Sequence, residues 1–217
     1  MKVIAFVPIR LNSKRVVGKN LKKLGDKPLM CYMLETLVKV KRIDEIYVYC
    51  SSEEILKYLP NGVIFKQRDT SLDNDETLGA EIYEKFVNEV EADIYILSHT
   101  TSPFITPNSI KNALDRVIYD NYDSALCVES QKTFAWFKNK PLNYELKNIP
   151  RTQTIEPVYI ETSAFYIFKK DIWKIHKQRA GFNPYFQIVD KIEGVDIDNP
   201  EDFEFAELIL SKLKNDK

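Results

Sequence analysis

The chain has 217 residues and a mass of 25.4 kDa, and 44% of the residues are hydrophobic while 29% are charged. This length fits one domain, and the apolar content excludes a wholly disordered protein. The 31 basic and 32 acidic side chains give a net charge of −1, so overall charge does not indicate nucleic acid or an anionic membrane as a partner.

The sequence predicts neither membrane insertion nor export. No apolar run approaches the ~20 residues of a membrane span, and the apolar start of the chain, residues 1–8, is too short for the core of a signal peptide. The three cysteines, Cys31, Cys50 and Cys127, are widely spaced in apolar surroundings, which is typical of reduced thiols in a core. We therefore expect a cytoplasmic protein.

Short β-branched runs alternate with amphipathic segments over the first 128 residues. Strands are predicted at 3–9, 45–50, 63–66, 94–97 and 124–128. Helices are predicted between them at 28–40, 53–59, 78–90 and 106–118. This alternation predicts an α/β fold, with a mostly parallel sheet and helices on both faces.

The alternation stops at Glu129. Residues 130–161 are rich in Lys, Asn, Pro and aromatic residues, and we expect an excursion with short strands that packs on a second subunit. Strands at 164–168 and 195–197 follow, and Asn199-Pro200-Glu201-Asp202 predicts the start of a C-terminal helix, with a capping Asn and Pro at the first position. We treat residues 1–217 as a single domain.

A cationic loop follows the first predicted strand. Residues 10–21 contain Arg10, Lys14, Arg15 and Lys19, and open parallel sheets bind ligands at the carboxyl ends of their strands. Four cations at such a place suit a nucleoside triphosphate, whereas the alternative is a solvated basic surface loop. With Gly18 as its only glycine, the loop matches neither the P-loop nor the dinucleotide-binding fingerprint.

Residues 7–21, Val-Pro-Ile-Arg-Leu-Asn-Ser-Lys-Arg-Val-Val-Gly-Lys-Asn-Leu, resemble the N-terminal signature of the acylneuraminate cytidylyltransferases. Four further segments are similar to that family in the same order, at 65–75, 101–104, 151–153 and 196–202. CMP-Kdo synthetases usually have Lys-Pro-Leu where this chain has Lys-Asn-Leu at 19–21, which favours the acylneuraminate branch. The resemblance implies a Rossmann-like nucleotidyltransferase domain with a small dimerisation lobe at 130–161, and a homodimer.

The resemblance also implies an activity, the transfer of CMP from CTP to an acidic sugar with release of pyrophosphate. Arg10, Lys14 and Lys19 would then be catalytic, because they hold the triphosphate and stabilise the leaving group. The implied nucleotide site consists of Arg10, Asn12, Ser13, Lys14, Lys19, Asn20 and Arg68. For Arg68, the alternative is an ordinary surface residue in a polar loop.

The acceptor site is less well defined than the nucleotide site. The family has a Gln before its Thr-Ser-Pro segment, whereas this chain has His99-Thr100 before Thr101-Ser102-Pro103. The candidates for the sugar side are His99, Gln153 and Glu161. His99 is a sugar contact, a proton acceptor or a structural histidine at a strand end. Sialic acid or a related nonulosonic acid is the favoured acceptor, and a Kdo-like sugar or a phosphonate is the alternative.

Asp196 and Asp198 form an Asp-x-Asp pair before the C-terminal helix. On a strand, residues i and i+2 point to one side, about 6–7 Å apart. Two carboxylates together with phosphate oxygens suit Mg²⁺, or Mn²⁺ in its place. The alternative is that Asp198 only caps the following helix.

Two other classes of protein share part of this pattern. A metal-dependent glycosyltransferase also uses an Asp-x-Asp pair, but there the pair normally follows an early strand in mid-chain, and the cationic loop is foreign to it. A nucleotide-binding regulator without catalysis is the other class. The intact loop and the intact carboxylate pair argue against it.

Overall fold

A computed structural model describes residues 1–215. The strands are β1 (Val3–Ile9), β2 (Lys23–Leu24), β3 (Lys27–Pro28), β4 (Glu45–Cys50), β5 (Val63–Gln67), β6 (Ile94–Ser98), β7 (Ser124–Gln131), β8 (Trp136–Phe137), β9 (Lys140–Pro141), β10 (Val158–Lys169) and β11 (Pro184–Val189). The α-helices are α1 (Leu29–Val38), α2 (Gly79–Glu89), α3 (Pro107–Tyr119), α4 (Lys170–His176) and α5 (Pro200–Asn215). No helix within residues 1–215 has the length and apolar character needed to cross a membrane.

Seven strands form one sheet in the order β11-β7-β10-β6-β1-β4-β5. β1 pairs in parallel with β4 and β6, β4 with β5, and β7 with β11, whereas β10 runs antiparallel to both β6 and β7. The predicted α/β class with a mostly parallel sheet is therefore confirmed.

Helices cover both faces of the sheet, as predicted. Along β1, Ala5 and Val7 pack with the residues of α1 and α3, while Phe6 faces α2 and stacks on Phe86 with 4.3 Å between ring centroids. Because both faces are covered, β1 is almost entirely buried, and its continuous apolar sequence follows from that burial.

Some predicted elements differ from the structure. Residues 195–197 are not a strand but an irregular segment, in which the Ile197 amide donates a 2.9 Å hydrogen bond to the Thr101 carbonyl. The predicted helix at 53–59 is a 3₁₀ helix, Glu53–Tyr58, which ends just before Pro60. The prediction omitted α4 and β11, because α4 is short and the edge strand β11 exposes much of its apolar side.

The C-terminal helix α5 begins at Pro200, as predicted. Asp202, in its first turn, accepts hydrogen bonds from the backbone N–H groups of Asp198 at 3.0 Å and Asn199 at 2.7 Å. The buried side of α5 is provided by Phe203, which packs in one apolar cluster with Val16. Helix α5 therefore lies under the cationic loop and supports it.

The excursion at 130–161 contains the β8–β9 hairpin and leads into the long strand β10. Its apolar side chains are unusually exposed, with 54% of Trp136 and 63% of Phe137 accessible. Leu146 and Ile149 are exposed in the same segment. Exposed apolar patches of this kind are typical of contact surfaces.

We predict that a second copy of the chain covers the apolar patch of residues 130–161. Multi-angle light scattering at micromolar concentration should then give twice the 25.4 kDa mass of one chain. A Trp136→Glu/Phe137→Ser variant should have the mass of a single chain, because a charge and a hydroxyl replace apolar contact area. Leu208→Ser, an equally exposed position on α5, is the matched control and should leave the mass unchanged. A wild-type protein of single-chain mass would contradict the prediction.

Candidate functional site

A cleft of about 570 Å³ opens where β1 and β6 end. It is lined by Pro8, Arg10, Ser13, Lys14, Arg15, Lys19, Asn20, His99, Thr100, Thr101, Ser163, Asp196 and Asp198. Neighbouring parallel strands place the residues that follow them at the same sheet edge, and ligands of open α/β sheets bind there. The cleft thus gathers most of the residues predicted for the site from distant parts of the sequence.

Lys19 and Asn20 form the buried floor of the cleft. Lys19 is 9% exposed, and its Nζ donates to the Ile197 carbonyl at 2.7 Å and to Asp198 Oδ1 at 3.3 Å. Asn20 donates to the Arg10 carbonyl at 2.8 Å and accepts from the Thr100 hydroxyl. The alternative of a wholly solvated basic loop is therefore wrong at Lys19.

The remaining cations lie on the rim. Lys14 pairs with Asp75, whose carboxylate also lies 3.9 Å from the Arg10 guanidinium, and Arg15 lies 3.0 Å from Asp198 Oδ1. The hydrogen bond from Lys14 holds the pKa of Asp75 below its usual value, so this partner is ionised. Exposed ion pairs contribute little stability, and a phosphate group can replace their carboxylates at small cost.

The carboxylates of Asp196 and Asp198 both face the cleft, although the segment is not a strand. Asp196 Oδ1 is buried without a hydrogen-bond partner, and burial raises the pKa of this carboxyl, with the charge of Asp198 adding to the effect. Asp198 faces Lys19 and Arg15, whereas the amides before α5 are capped by Asp202. The capping role considered for Asp198 is therefore wrong.

The donor set of this pair fits a hard divalent cation. Within residues 1–215 there is no group of three or more His, Cys, Asp and Glu side chains that could hold a metal ion. Mg²⁺ needs only one or two carboxylates when phosphate oxygens and water supply its other ligands. The unpartnered oxygen of Asp196 beside Asp198 matches that requirement.

His99 follows β6 and faces the cleft through one ring nitrogen. Its Nδ1 donates to the Ser163 carbonyl at 2.6 Å, which leaves Nε2 as the acceptor, 3.3 Å from the Tyr83 hydroxyl. Burial lowers the pKa of His99, so the imidazole is neutral near pH 7. Ser163 lies in the bulge of β10 and has a left-handed backbone, at φ 58°. This conformation directs its carbonyl toward His99 Nδ1.

Two residues of the predicted nucleotide site, Arg68 and Asn12, do not line the cleft. Arg68 is 1% exposed, and its guanidinium donates to the Tyr49 carbonyl at 3.4 Å and to the Asp73 carboxylate. The alternative of a surface Arg68 is wrong, and the residue is absent from the lining of the cleft. Asn12 is exposed and donates to the Asp73 carbonyl at 3.3 Å, so both side chains hold the loop that carries Asp75.

Two of the predicted acceptor residues also lie outside the cleft. Gln153 is exposed in the 130–161 excursion, where its carbonyl accepts from Lys132 at 3.1 Å. Glu161 accepts from the Tyr166 hydroxyl and lies 3.2 Å from the Arg179 guanidinium. Of the three acceptor candidates, only His99 lines the cleft.

Three residues that line or shape the site are absent from the predicted set. Thr100 fixes Asn20, and it could have been found from its place before the Thr-Ser-Pro segment. Ser163 orients His99, and Tyr83 meets the other ring nitrogen. Neither of these two has a sequence signal, since both depend on how β10 and α2 pack against β6.

Comparison with known proteins gives one family. A family model described as "Cytidylyltransferase" matches residues 4–215. An N-acylneuraminate cytidylyltransferase of Oncorhynchus mykiss is 26% identical over 215 residues, covering 94% of this chain and 49% of that protein. A pseudaminic acid cytidylyltransferase of Campylobacter jejuni subsp. jejuni serotype O:23/36 (strain 81-176) is 24% identical over 227 residues, covering 96% of each chain.

A solved structure of CMP:2-keto-3-deoxy-manno-octonic acid synthetase complexed with CTP has the same fold, with a TM-score of 0.74 at 18% identity, covering 98% of this chain and 99% of that one. The chain spans about half the length of several curated relatives, 49% of the Oncorhynchus mykiss protein and 54% of an N-acylneuraminate cytidylyltransferase of Escherichia coli O18:K1:H7 (strain RS218 / NMEC). Because the family model extends over nearly all of its residues, the chain belongs to the cytidylyltransferase family.

Proposed function

We propose that the protein transfers CMP from CTP to an acidic sugar and releases pyrophosphate. The observation that carries this proposal is the single cleft in which Arg10, Lys14 and Lys19 face the carboxylates of Asp196 and Asp198. Cations on one side and a carboxylate pair on the other suit a metal-bound triphosphate. The family match and the relatives that act on N-acylneuraminate and pseudaminic acid support the same activity.

In the proposed reaction, the acceptor hydroxyl attacks the α-phosphorus of CTP, a new P–O bond forms, and the bond to pyrophosphate breaks. Catalysis of this kind depends on positioning and on neutralising charge. Arg10 and Lys14 exchange Asp75 for phosphate oxygens, and Lys19 adds a cation from the buried floor. His99, neutral at Nε2, is the proposed contact or proton acceptor for the attacking hydroxyl.

Mg²⁺ or Mn²⁺ is proposed at Asp196 and Asp198. When bound, such an ion neutralises phosphate charge and orients the leaving group. Asp198 is already fixed by Arg15 and Lys19, whereas Asp196 Oδ1 has no partner to lose. Asp198 is therefore held in place by its cations, while one oxygen of Asp196 has no hydrogen-bond partner within the described residues.

Sialic acid or a related nonulosonic acid is the proposed acceptor. A Kdo-like sugar or a phosphonate is the alternative, and the likeness to the octonic acid synthetase, at 18% identity, is a likeness of fold and not of acceptor. A glycosyltransferase is disfavoured, because Asp196 and Asp198 follow the last strand of the sheet. A homodimer and a cytoplasmic location stay predictions, and the buried free thiols of Cys31, Cys50 and Cys127 suit a reducing compartment.

The nucleotide preference tests the proposed function. We expect pyrophosphate release with CTP and not with ATP, GTP or UTP, because a pocket that hydrogen-bonds a base edge rejects bases that leave its polar groups unpaired. The assay measures pyrophosphate with each nucleotide against sialic, legionaminic, pseudaminic, Kdo and phosphonate acceptors. Equal turnover with ATP or GTP would contradict the proposal.

The floor and rim lysines should respond differently to substitution. Lys14→Gln should lower kcat/KM by about 10²-fold and change the free energy of unfolding by less than about 0.5 kcal/mol, because its side chain is exposed. Lys19→Ala should lower both quantities, since it leaves the Ile197 carbonyl and Asp198 without their buried partner.

Lys23→Gln, an exposed position outside the cleft, is the matched control and should leave both quantities near the wild-type values. Steady-state kinetics and urea denaturation of the same preparations give the comparison. Near-normal turnover of both the Lys14 and the Lys19 variant would show that these cations do not act on the triphosphate.

Asp198 and Asp202 allow metal binding to be separated from helix capping. Asp198→Asn should fold normally, bind Mg²⁺–CTP weakly in calorimetry and turn over slowly, because Asp202 provides the cap. Asp202→Ala should lower the free energy of unfolding by about 1 kcal/mol and keep most of the metal-dependent activity. Wild-type activity should vanish with EDTA and return with Mg²⁺. Full activity of Asp198→Asn would refute the metal role.

A further inference from the structure

A second cavity, of about 540 Å³, lies next to the cleft. Its walls are the start of α2, the rings of Tyr83 and Trp173, and the cations Lys177 and Arg179. Tyr83 connects it to the first site, because its hydroxyl lies 3.3 Å from Nε2 of His99, which lines the cleft. The two cavities are therefore joined through the Tyr83–His99 pair.

Arg179 contacts an aromatic ring and a carboxylate at the second cavity. Its guanidinium lies 4.0 Å from the centroid of the Tyr166 ring, and one nitrogen lies 3.2 Å from Glu161 Oε2. The Tyr166 hydroxyl donates to the same carboxylate oxygen, so the three side chains brace one another. A guanidinium has five N–H donors in a planar fork, and those not directed at Glu161 are left for a ligand.

Other donors surround the same cavity. Gly79 and Ala80 lie in the first turn of α2, where backbone N–H groups have no partner inside the helix. Trp173 is 2% exposed and forms part of the aromatic wall of the cavity. The charge of Lys177 is neutralised by Glu84, because its Nζ donates to Glu84 Oε1 at 2.6 Å. A surplus of donors beside a braced guanidinium suits an anion.

The glycine at the start of α2 lets this arrangement form. A Cβ atom at Gly79 would lie 2.8 Å from the Tyr83 hydroxyl, so any other residue would displace Tyr83 from its place between the cavities.

We propose that the second cavity receives the acceptor and that Arg179 binds the acceptor's carboxylate. This inference rests on the proposed function. In a 2-keto sugar acid, the carboxylate and the attacking anomeric hydroxyl are on adjacent carbons. The two must therefore bind close together, and Arg179 and His99 flank Tyr83 in a way that matches this requirement. Arg179 is a specificity-determining residue, and Glu161, predicted as a sugar contact, positions it.

The test compares acceptor acids with their neutral methyl esters. N-acetylneuraminate and pseudaminate, each as acid and as ester, are titrated against wild type, Arg179→Gln and Arg179→Lys at saturating CTP. Loss of a charge-assisted hydrogen bond should raise KM for the acid by about 10- to 100-fold in Arg179→Gln, leave KM for CTP unchanged, and abolish the preference for acid over ester. Arg179→Lys should retain part of that preference.

Arg116→Gln is the matched control, because Arg116 also lies over a tyrosine ring and pairs with a carboxylate, Asp120, far from either cavity. It should leave every KM at the wild-type value. An unchanged KM for the acid in Arg179→Gln, or an equal rise for acid and ester, would overturn the proposal.

Calorimetry of the same acids without CTP separates this inference from the proposed function. Binding by wild type that is lost in Arg179→Gln supports the carboxylate site even when no pyrophosphate is released, an outcome that would refute the proposed function alone. Pyrophosphate release that is insensitive to Arg179 would support the function and overturn the inference. Failure of wild type to bind any of the acids would also overturn the inference.

Discussion

The site depends on the burial of one ammonium group. Lys19 can occupy the floor of the cleft only because the Ile197 carbonyl and Asp198 receive its hydrogen bonds, since a buried charge without partners is strongly disfavoured. The contact joins residues 178 positions apart in the sequence. The path of the cationic loop and the segment before α5 are therefore fixed together, and the apolar contact of Val16 with Phe203 supports both from below.

This contact divides the cleft into a rigid floor and an exchangeable rim. Lys19 and Asn20 are buried and hydrogen-bonded, so they define where a ligand can lie. Arg10 and Lys14 are exposed and share Asp75, a partner that a more highly charged anion can replace. The packed floor fixes the position of a bound ligand, and the weak ion pairs of the rim can open when the ligand enters the cleft.

Sequence alone predicted the parts of this arrangement that are local. The apolar run at 3–9, the cations at 10–19 and the helix start at 199–202 are each visible in a short window, and the structure contains all three. The burial of Lys19 and Arg68 could not be predicted, because their partners come from other segments. The expected strand at 195–197 was wrong for the same reason, since Ile197 bonds to Thr101 outside any strand pairing.

The two cavities also differ in which elements build them. The cleft is built mainly from the first loop, the end of β6 and the segment before α5, whereas the second cavity uses α2 and the turn after α4. Helix α4 ends at His176 and is followed by Lys177, whose backbone is left-handed at φ 56°, and this turn leads directly to Arg179. A change in that turn or in the start of α2 therefore alters the second cavity while the floor of the cleft stays in place. Tyr83 and His99 form the contact between the two cavities. The turn after α4 and the start of α2 therefore lie apart from Lys19 and Asn20, which form the floor of the cleft.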